Sequence, residues 1–165
     1  MTLIATTVAT PLGPMSLLGT SQCLHVAAFG EDLDDLRDRL PQSLRNSPVQ
    51  RGETAAAAAL RDYFAGDVRA LDRVDVEQPG GPFHTAVWKE MRAIPAGTTV
   101  SYADLAARAG APRAARAAAS ACARNAVCLF IPCHRVVRSD GSLGGYYYGL
   151  ATKRSLLAHE GVTER

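Results

Sequence analysis

An α+β protein is predicted for this 165-residue chain: a small N-terminal α/β unit with a short antiparallel sheet, joined to a mainly helical C-terminal domain that contains a helix-turn-helix. Three observations point there. Short apolar and β-branched runs separated by turn residues crowd the first 30 positions. Apolar residues recur at helical spacing from Phe83 onward. Between the two patterns lies Pro79-Gly80-Gly81, which has the composition of a linker.

The first unit is expected over residues 1–75. Strands are read at Leu3-Val8, Met15-Leu18 and Leu24-Phe29, the first two separated by the turn Pro11-Leu12-Gly13-Pro14. Helices follow at Leu33-Leu40 and Thr54-Phe64, the second alanine-rich and ended by Gly66. A linker over about 76–81, opening near Asp75, leads to the second unit at 82–165. There Phe83, Val87, Met91 and Ile94 make one apolar helix face, stopped by Pro95 and Gly97. Ser101 suits the N-cap of a helix through Ala109, and Gly110-Ala111-Pro112 breaks it before a second helix from about Arg113 to Arg124. Two short helices about a glycine turn fit an ordinary helical hairpin as well as a helix-turn-helix.

Composition narrows the class. An apolar fraction of 47% is that of a folded domain. No apolar run reaches the roughly 18 residues of a membrane span, and the N-terminus lacks the pattern of a secretion signal, so a cytoplasmic protein is expected. Cys23, Cys122, Cys128 and Cys133 have no CxxC spacing, which argues against a disulfide framework or a four-sulfur metal site. The net charge of +2 is too small to imply nucleic acid by itself. Its distribution says more: Arg108, Arg113, Arg116 and Arg124 face only Asp104 between Ser101 and Asn125, whereas Glu31 to Asp38 is acidic.

The chemistry concentrates in Ile131-Pro132-Cys133-His134-Arg135-Val136-Val137. A thiol is a strong nucleophile only as thiolate. The neighbouring imidazole and guanidinium are expected to favour that form, pulling the pKa below its free value of roughly 8.5. In a regular strand Cys133 and His134 would point to opposite faces, so cooperation requires a turn after Pro132 or a bridging water.

An ordered set of motifs from Pro82 to Gly161 resembles the O6-alkylguanine-DNA alkyltransferases. It comprises Pro82-Phe83, Val87-Trp88, Ile94-Pro95-Ala96-Gly97, Ser101-Tyr102, Ala114-Ala115-Arg116-Ala117, Asn125, Pro132-Cys133-His134-Arg135, Asp140-Gly141, Gly144-Gly145-Tyr146, Gly149-Leu150, Lys153-Arg154 and Leu156-Leu157-Ala158-His159-Glu160-Gly161. The resemblance implies DNA repair by direct reversal, in which an alkyl group passes stoichiometrically and irreversibly from O6 of guanine to the protein. It implies Cys133 as acceptor, His134 as its base through a water, Glu160 as the orienter of His134, Asn125 as organiser of the turn, and Tyr102 as donor to the leaving guanine. Arg116 would fill the stack vacated by the extruded nucleotide. Ala114, Ala115, Arg113, Arg124 and Arg135 would join Tyr102 and Arg116 at the DNA, the alanines permitting close approach to a minor groove without sequence readout. Tyr146, Tyr147, Tyr148 and Trp88 would line the alkyl pocket.

Two departures stand out. Tyr147 and Tyr148 replace small residues usual after the family's Gly-Tyr, where they would either narrow the pocket or point outward. Ala126 replaces a proline after Asn125, leaving a less rigid turn. Some relatives hold a structural zinc in the N-terminal half. Here His25 matches a ligand position but Thr20 stands where a cysteine would, so no metal is expected, nor any cofactor. The expected partner is double-stranded DNA containing O6-alkylguanine, with no membrane and no obligate protein partner; a monomer is expected. Three other readings share these residues: a thiol hydrolase using Cys133, His134 and Glu160, a non-catalytic lesion sensor, and an alkyltransferase whose substrate range is altered by the tyrosines.

Overall fold

In the computed structural model, which describes residues 1–163, strand β1 (Leu3–Val8) pairs antiparallel with β2 (Met15–Gly19), and β2 pairs antiparallel with β3 (Leu24–Phe29). Alternation along β1 buries Leu3 and Ala5, with Val8 buried at its end, while every residue of β2 is buried. Gly13, at φ +105°, closes the turn between them with its carbonyl accepting from Thr10 Oγ1. A strand not foreseen from sequence, β4 (Val49–Arg51), runs parallel to β1 and completes the order β3-β2-β1-β4. The sheet is therefore antiparallel with one parallel edge. Three residues with two exposed side chains carry no alternation that a pattern search detects.

Helix α1 (Leu33–Asp38) is capped by Asp32, whose carboxylate accepts from Asp34 N and Asp35 N, and it stops two residues short of Leu40. Helix α2 (Ala55–Phe64) is capped by Thr54 and buries Ala56, Ala57, Ala59, Leu60 and Tyr63. Beyond it the expected linker is partly sheet. Leu24 N–H donates to Asp75 O (2.9 Å), Glu77 N–H donates to Leu24 O (3.0 Å), and Val76 bridges Leu24 in parallel.

The chain forms two units: Met1–Pro79 together with Ala126–Phe130, and Gly80–Asn125 together with the chain from Ile131 onward. The division drawn from sequence, 1–75 and 82–165, assigned residues 126–130 to the second unit. They join the first because Val127 bridges Ala27 while Cys128 N–H donates to Ala27 O (3.0 Å). Ala126 N–H donates to Gln78 Oε1 (2.9 Å), a bond that a proline at this position could not make. The substitution exchanges ring rigidity for a hydrogen bond.

In the second unit, α3 (Pro82–Arg92) starts with proline at its first turn and buries Val87, Trp88 and Met91. Helix α4 (Tyr102–Arg108) is capped by Ser101, whose Oγ accepts from Asp104 N at 3.0 Å. Gly110, at φ +90°, turns the chain into α5 (Ala115–Ala123), and α4 and α5 pack against each other as a helix-turn-helix requires. Short parallel strands β5 (Val100–Ser101) and β6 (Val136–Val137) tie the start of α4 to the segment after Cys133. Helix α6 (Leu150–His159) closes the unit, with Leu157 packing on Val137 and Leu143. Among the described residues no helix is long and apolar enough to cross a membrane.

Candidate active site and nucleic-acid face

Pro132 breaks the extended chain, and Cys133–Arg135 forms one turn of 3₁₀ helix before β6 begins. Successive side chains on such a turn point about 120° apart instead of to opposite faces of a sheet. Cys133 can thus lie partly accessible while His134 and Arg135 turn into the core, where they are 0% and 3% exposed. Asn125, at the end of α5, holds this turn by donating from Nδ2 to Ile131 O at 2.7 Å.

Both buried side chains converge on Glu160, the C-cap of α6. His134 Nε2 lies 2.8 Å from Glu160 Oε2, and Arg135 grips the same carboxylate through Nε to Oε1 (2.8 Å) and Nη2 to Oε2 (2.9 Å). Arg135 Nη1 donates to Ile94 O at 2.7 Å. Gly97 packs against the backbone carbonyl of Glu160: a Cβ there would lie 3.1 Å from Glu160 O, and its φ of +87° disfavours other residues. Burial alone would raise the Glu160 pKa, but the hydrogen bonds from His134 and Arg135 hold it far below the usual carboxylate range. Glu160 is therefore ionised, so Nε2 of His134 carries the hydrogen it shares and Nδ1 carries the lone pair. Nδ1 is buried and bonds to no protein atom. Burial, opposed by Glu160, lowers the His134 pKa and keeps the ring neutral.

The thiol differs from the expectation drawn from sequence. Burial raises the Cys133 pKa, with Asn125 and Lys153 working against the rise. Arg135 does not activate it, because its guanidinium is spent on Glu160 and Ile94. A neutral thiol beside a neutral imidazole is the resting pair. Tyr102, at the first position of α4, is pushed up to about 12 by burial and by the nearby Cys122 and Cys133, so its hydroxyl keeps its proton. Gly144, at φ +72°, packs on that phenol: a Cβ there would lie 3.0 Å from Tyr102 Oη.

Two further assignments are corrected. Arg135 was expected at the DNA, but at 3% exposure with every contact internal it cannot reach a phosphate. Trp88 was expected in the alkyl pocket, but its indole N–H donates to Ala121 O (2.9 Å), pinning α3 to α5 in the core. Tyr147 is 73% exposed and stacks edge-on against Tyr148, which also meets Tyr146 edge-on. The Tyr147 ring therefore stands in solvent and does not fill a pocket. Arg113, Arg116 and Arg124 are exposed around α5, with Ala114 and Ala115 half-buried at its start. Among the described residues no cluster of three His, Cys, Asp or Glu side chains is placed to hold a metal.

Sequence reasoning placed Lys153 in the motif set but gave it no role; it is wholly buried, with its charge felt at Cys133. The signal was there to read. Lys153, Leu156, Leu157 and Glu160 recur at i, i+3, i+4 and i+7, so two charged residues occupy the buried face of α6.

Fold and site together define a helix-turn-helix protein with a partly accessible cysteine beside a buried His-Glu pair. Comparison with known proteins narrows the class. Residues 82–162 match the family model described as the DNA-binding domain of 6-O-methylguanine DNA methyltransferase. The chain is 37% identical over 162 residues to methylated-DNA–protein-cysteine methyltransferase of Salmonella typhimurium, covering 93% of each. It superposes on the crystal structure of Mycobacterium tuberculosis O6-methylguanine methyltransferase with a TM-score of 0.76 at 33% identity, covering 96% of this chain and 92% of the other. The Mycobacterium tuberculosis OGT structure in complex with DNA gives a TM-score of 0.79 at 33% identity, covering 95% and 92%. This chain belongs to the methylated-DNA–protein-cysteine methyltransferase family.

Proposed function

We propose that this protein repairs DNA by taking an alkyl group from O6 of guanine onto Cys133, one group per molecule. The observation that carries the reading is the state of His134: Nε2 is fixed by an ionised Glu160, leaving Nδ1 a buried base with no protein partner next to a neutral thiol. A buried ring nitrogen needs a hydrogen-bond donor, and a water between it and Sγ provides both the donor and a proton path.

The proton of Cys133 passes through that water to His134 Nδ1, and Glu160 stabilises the resulting imidazolium. Sulfur then attacks the alkyl carbon; the S–C bond forms as the C–O6 bond breaks, and the bonding pair leaves with guanine. Tyr102 donates its proton to the guanine anion, and the imidazolium proton restores the phenol through solvent. Arg135 acts on this sequence only by holding Glu160 in place. No water attacks the thioether, so the protein is consumed.

The lesion lies within stacked bases and must be extruded to reach Cys133. Helix α5 presents Arg116 for the vacated place in the stack, alanines for close approach to the minor groove, and Arg113 and Arg124 for phosphates. The test is intact mass spectrometry after incubation with duplex carrying O6-methylguanine, followed by peptide mapping. One added methyl on Cys133, absent from Cys133→Ser, is expected. Repeated turnover, or an adduct on Cys23, Cys122 or Cys128, overturns the reading.

A further inference from the structure

The least conventional group in the second unit is an ammonium buried without a carboxylate. Lys153 rises from the inner face of α6 with 0% exposure, and its Nζ donates to three backbone carbonyls: Val136 O at 2.7 Å, Leu143 O, and Gly145 O at 3.2 Å. Three donors meet three acceptors, so its hydrogen-bonding capacity is filled. All three acceptors are neutral, however, and among the described residues no acid forms an ion pair with it. A charge withdrawn from water in this way is costly unless an opposite charge answers it.

The carbonyls it gathers are not arbitrary. Val136 follows the Cys133–Arg135 turn directly in β6, while Leu143 and Gly145 flank Gly144, the residue packed on the Tyr102 phenol. One ammonium therefore ties the segment after the thiol to the loop that seats the proton donor. The charged and titratable groups facing it are Cys133 on the turn, Cys122 on α5, and the like charges of Arg138 after β6 and of His134 when protonated. Of these, only the two sulfurs can become anions, and only Cys133 is required to.

We propose that Lys153 is a positioning residue for alkyl transfer: it clasps the Leu143–Gly145 loop to the strand after Cys133 and holds a positive charge toward the thiolate as it forms. This rests on Cys133 being the acceptor. The geometry accounts for why a lysine stands here when its hydrogen bonds need only a neutral donor. Burial, with Arg138 opposing its charge, lowers the lysine to about 8, and the two thiols pull it upward, so each sulfur anion and the ammonium stabilise one another.

The test reads the thiol without DNA. The full-length chain is treated with iodoacetamide across a pH series, and modification of Cys133 is followed by peptide mass mapping in wild type, Lys153→Met and Lys153→Arg. The midpoint for Cys133 is expected to rise by about one pH unit in Lys153→Met, making modification about tenfold slower near neutral pH, and to rise less in Lys153→Arg, which keeps the charge. An unmoved midpoint in a folded Lys153→Met protein overturns the proposal. Should that variant not fold, the reciprocal effect is measured with the lysine intact, by NMR titration of the Lys153 side-chain nitrogen in wild type and Cys133→Ser. Lys153 should lose its proton at lower pH in Cys133→Ser; identical titrations overturn the proposal. Because neither readout uses alkylated DNA, the two failures are distinguishable: failure to accept a methyl group overturns the repair function, and with it the lysine's part in transfer, while the Lys153–Cys133 coupling stays measurable; absence of the coupling overturns the lysine's role alone.

Discussion

Arg135 and Arg116 are the same residue type in two regions of one unit, and their surroundings assign them opposite work. Beside Cys133 the buried charges are held internally: Arg135 is clamped on Glu160 and Ile94, Glu160 on His134 and Arg135, and Lys153 on three carbonyls. At α5 the arginines are exposed, Arg116 on a helix whose other side chains are mostly alanine and Arg113 and Arg124 flanking it. A guanidinium out of water needs its partners built into the fold, whereas one in water is free to be desolvated by an incoming phosphate or base. Substitutions should therefore divide cleanly between the regions, in stability on one side and in DNA handling on the other.

The sharpest separation is expected from stability. Arg135→Ala removes both guanidinium hydrogen bonds from the buried Glu160 carboxylate, and should cost about 3–5 kcal/mol in a denaturant titration. Arg116→Ala should cost no more than about 0.5 kcal/mol, as exposed substitutions do. Equal costs would erase the distinction.

His134→Ala tests whether the buried cluster does chemistry as well as hold the fold. Single-turnover transfer to Cys133 should slow by at least about 100-fold at neutral pH, the usual scale for loss of a general base. A wild-type rate in the variant would reduce His134 to a structural partner of Glu160.

Arg116→Ala should slow transfer from duplex DNA by about tenfold or more while leaving transfer from a free alkylguanine base nearly unchanged, because only the duplex reaction must extrude a nucleotide. Parallel losses on both substrates would place Arg116 with Arg135 as a structural residue.

The buried histidine also carries a pH signature that the exposed arginines lack. Its folded pKa lies below the ordinary 6.5, so as pH falls through 6.5 the unfolded chain takes up a proton that the folded chain refuses. Stability from this group is present above 6.5 and is lost as pH drops from there toward the lower folded value. Denaturation midpoints between pH 7.5 and 5 should fall in wild type and fall less in His134→Gln. Indistinguishable profiles would mean the ring is not buried as a neutral base.

The smallest effect is expected at the tyrosine loop. With Tyr147 in solvent, Tyr147→Gly should leave the ratio of methyl to benzyl transfer unchanged. Tyr148, half-buried between Tyr146 and Tyr147, is the ring whose removal can alter that ratio. A benzyl-selective gain in Tyr147→Gly would show that the ring moves over the substrate.

Local signals were legible wherever the chain decides its own conformation. The strands β1 and β3 match their expected bounds, and Ser101 caps α4 as read, while Thr54, read as the first residue of its helix, is the cap of α2. Strand β4 and the pairing of residues 126–130 with β3 were not legible, because both depend on a partner distant in sequence and carry no period of their own. The same limit explains Trp88 and Arg135. A resemblance in sequence locates a residue within a motif, but only packing says whether its side chain faces the ligand or the core.

What the sequence determined by itself is the chemistry: a cysteine beside a histidine after a proline, a glutamate at a helix end, a tyrosine after a capping serine, and arginines scattered through an alanine helix. What the tertiary structure alone decided is the ionisation and accessibility of those groups. Cys133 is a raised, neutral thiol and not a pre-formed thiolate, His134 a neutral base with Nδ1 open, Arg135 a brace, and Lys153 a buried charge. The reason is that desolvation and close partners set a pKa, and both are supplied by the fold: Glu160 reaches His134 and Arg135 at 2.8 Å from 26 and 25 positions away, and Lys153 meets its carbonyls from 8 to 17 positions away.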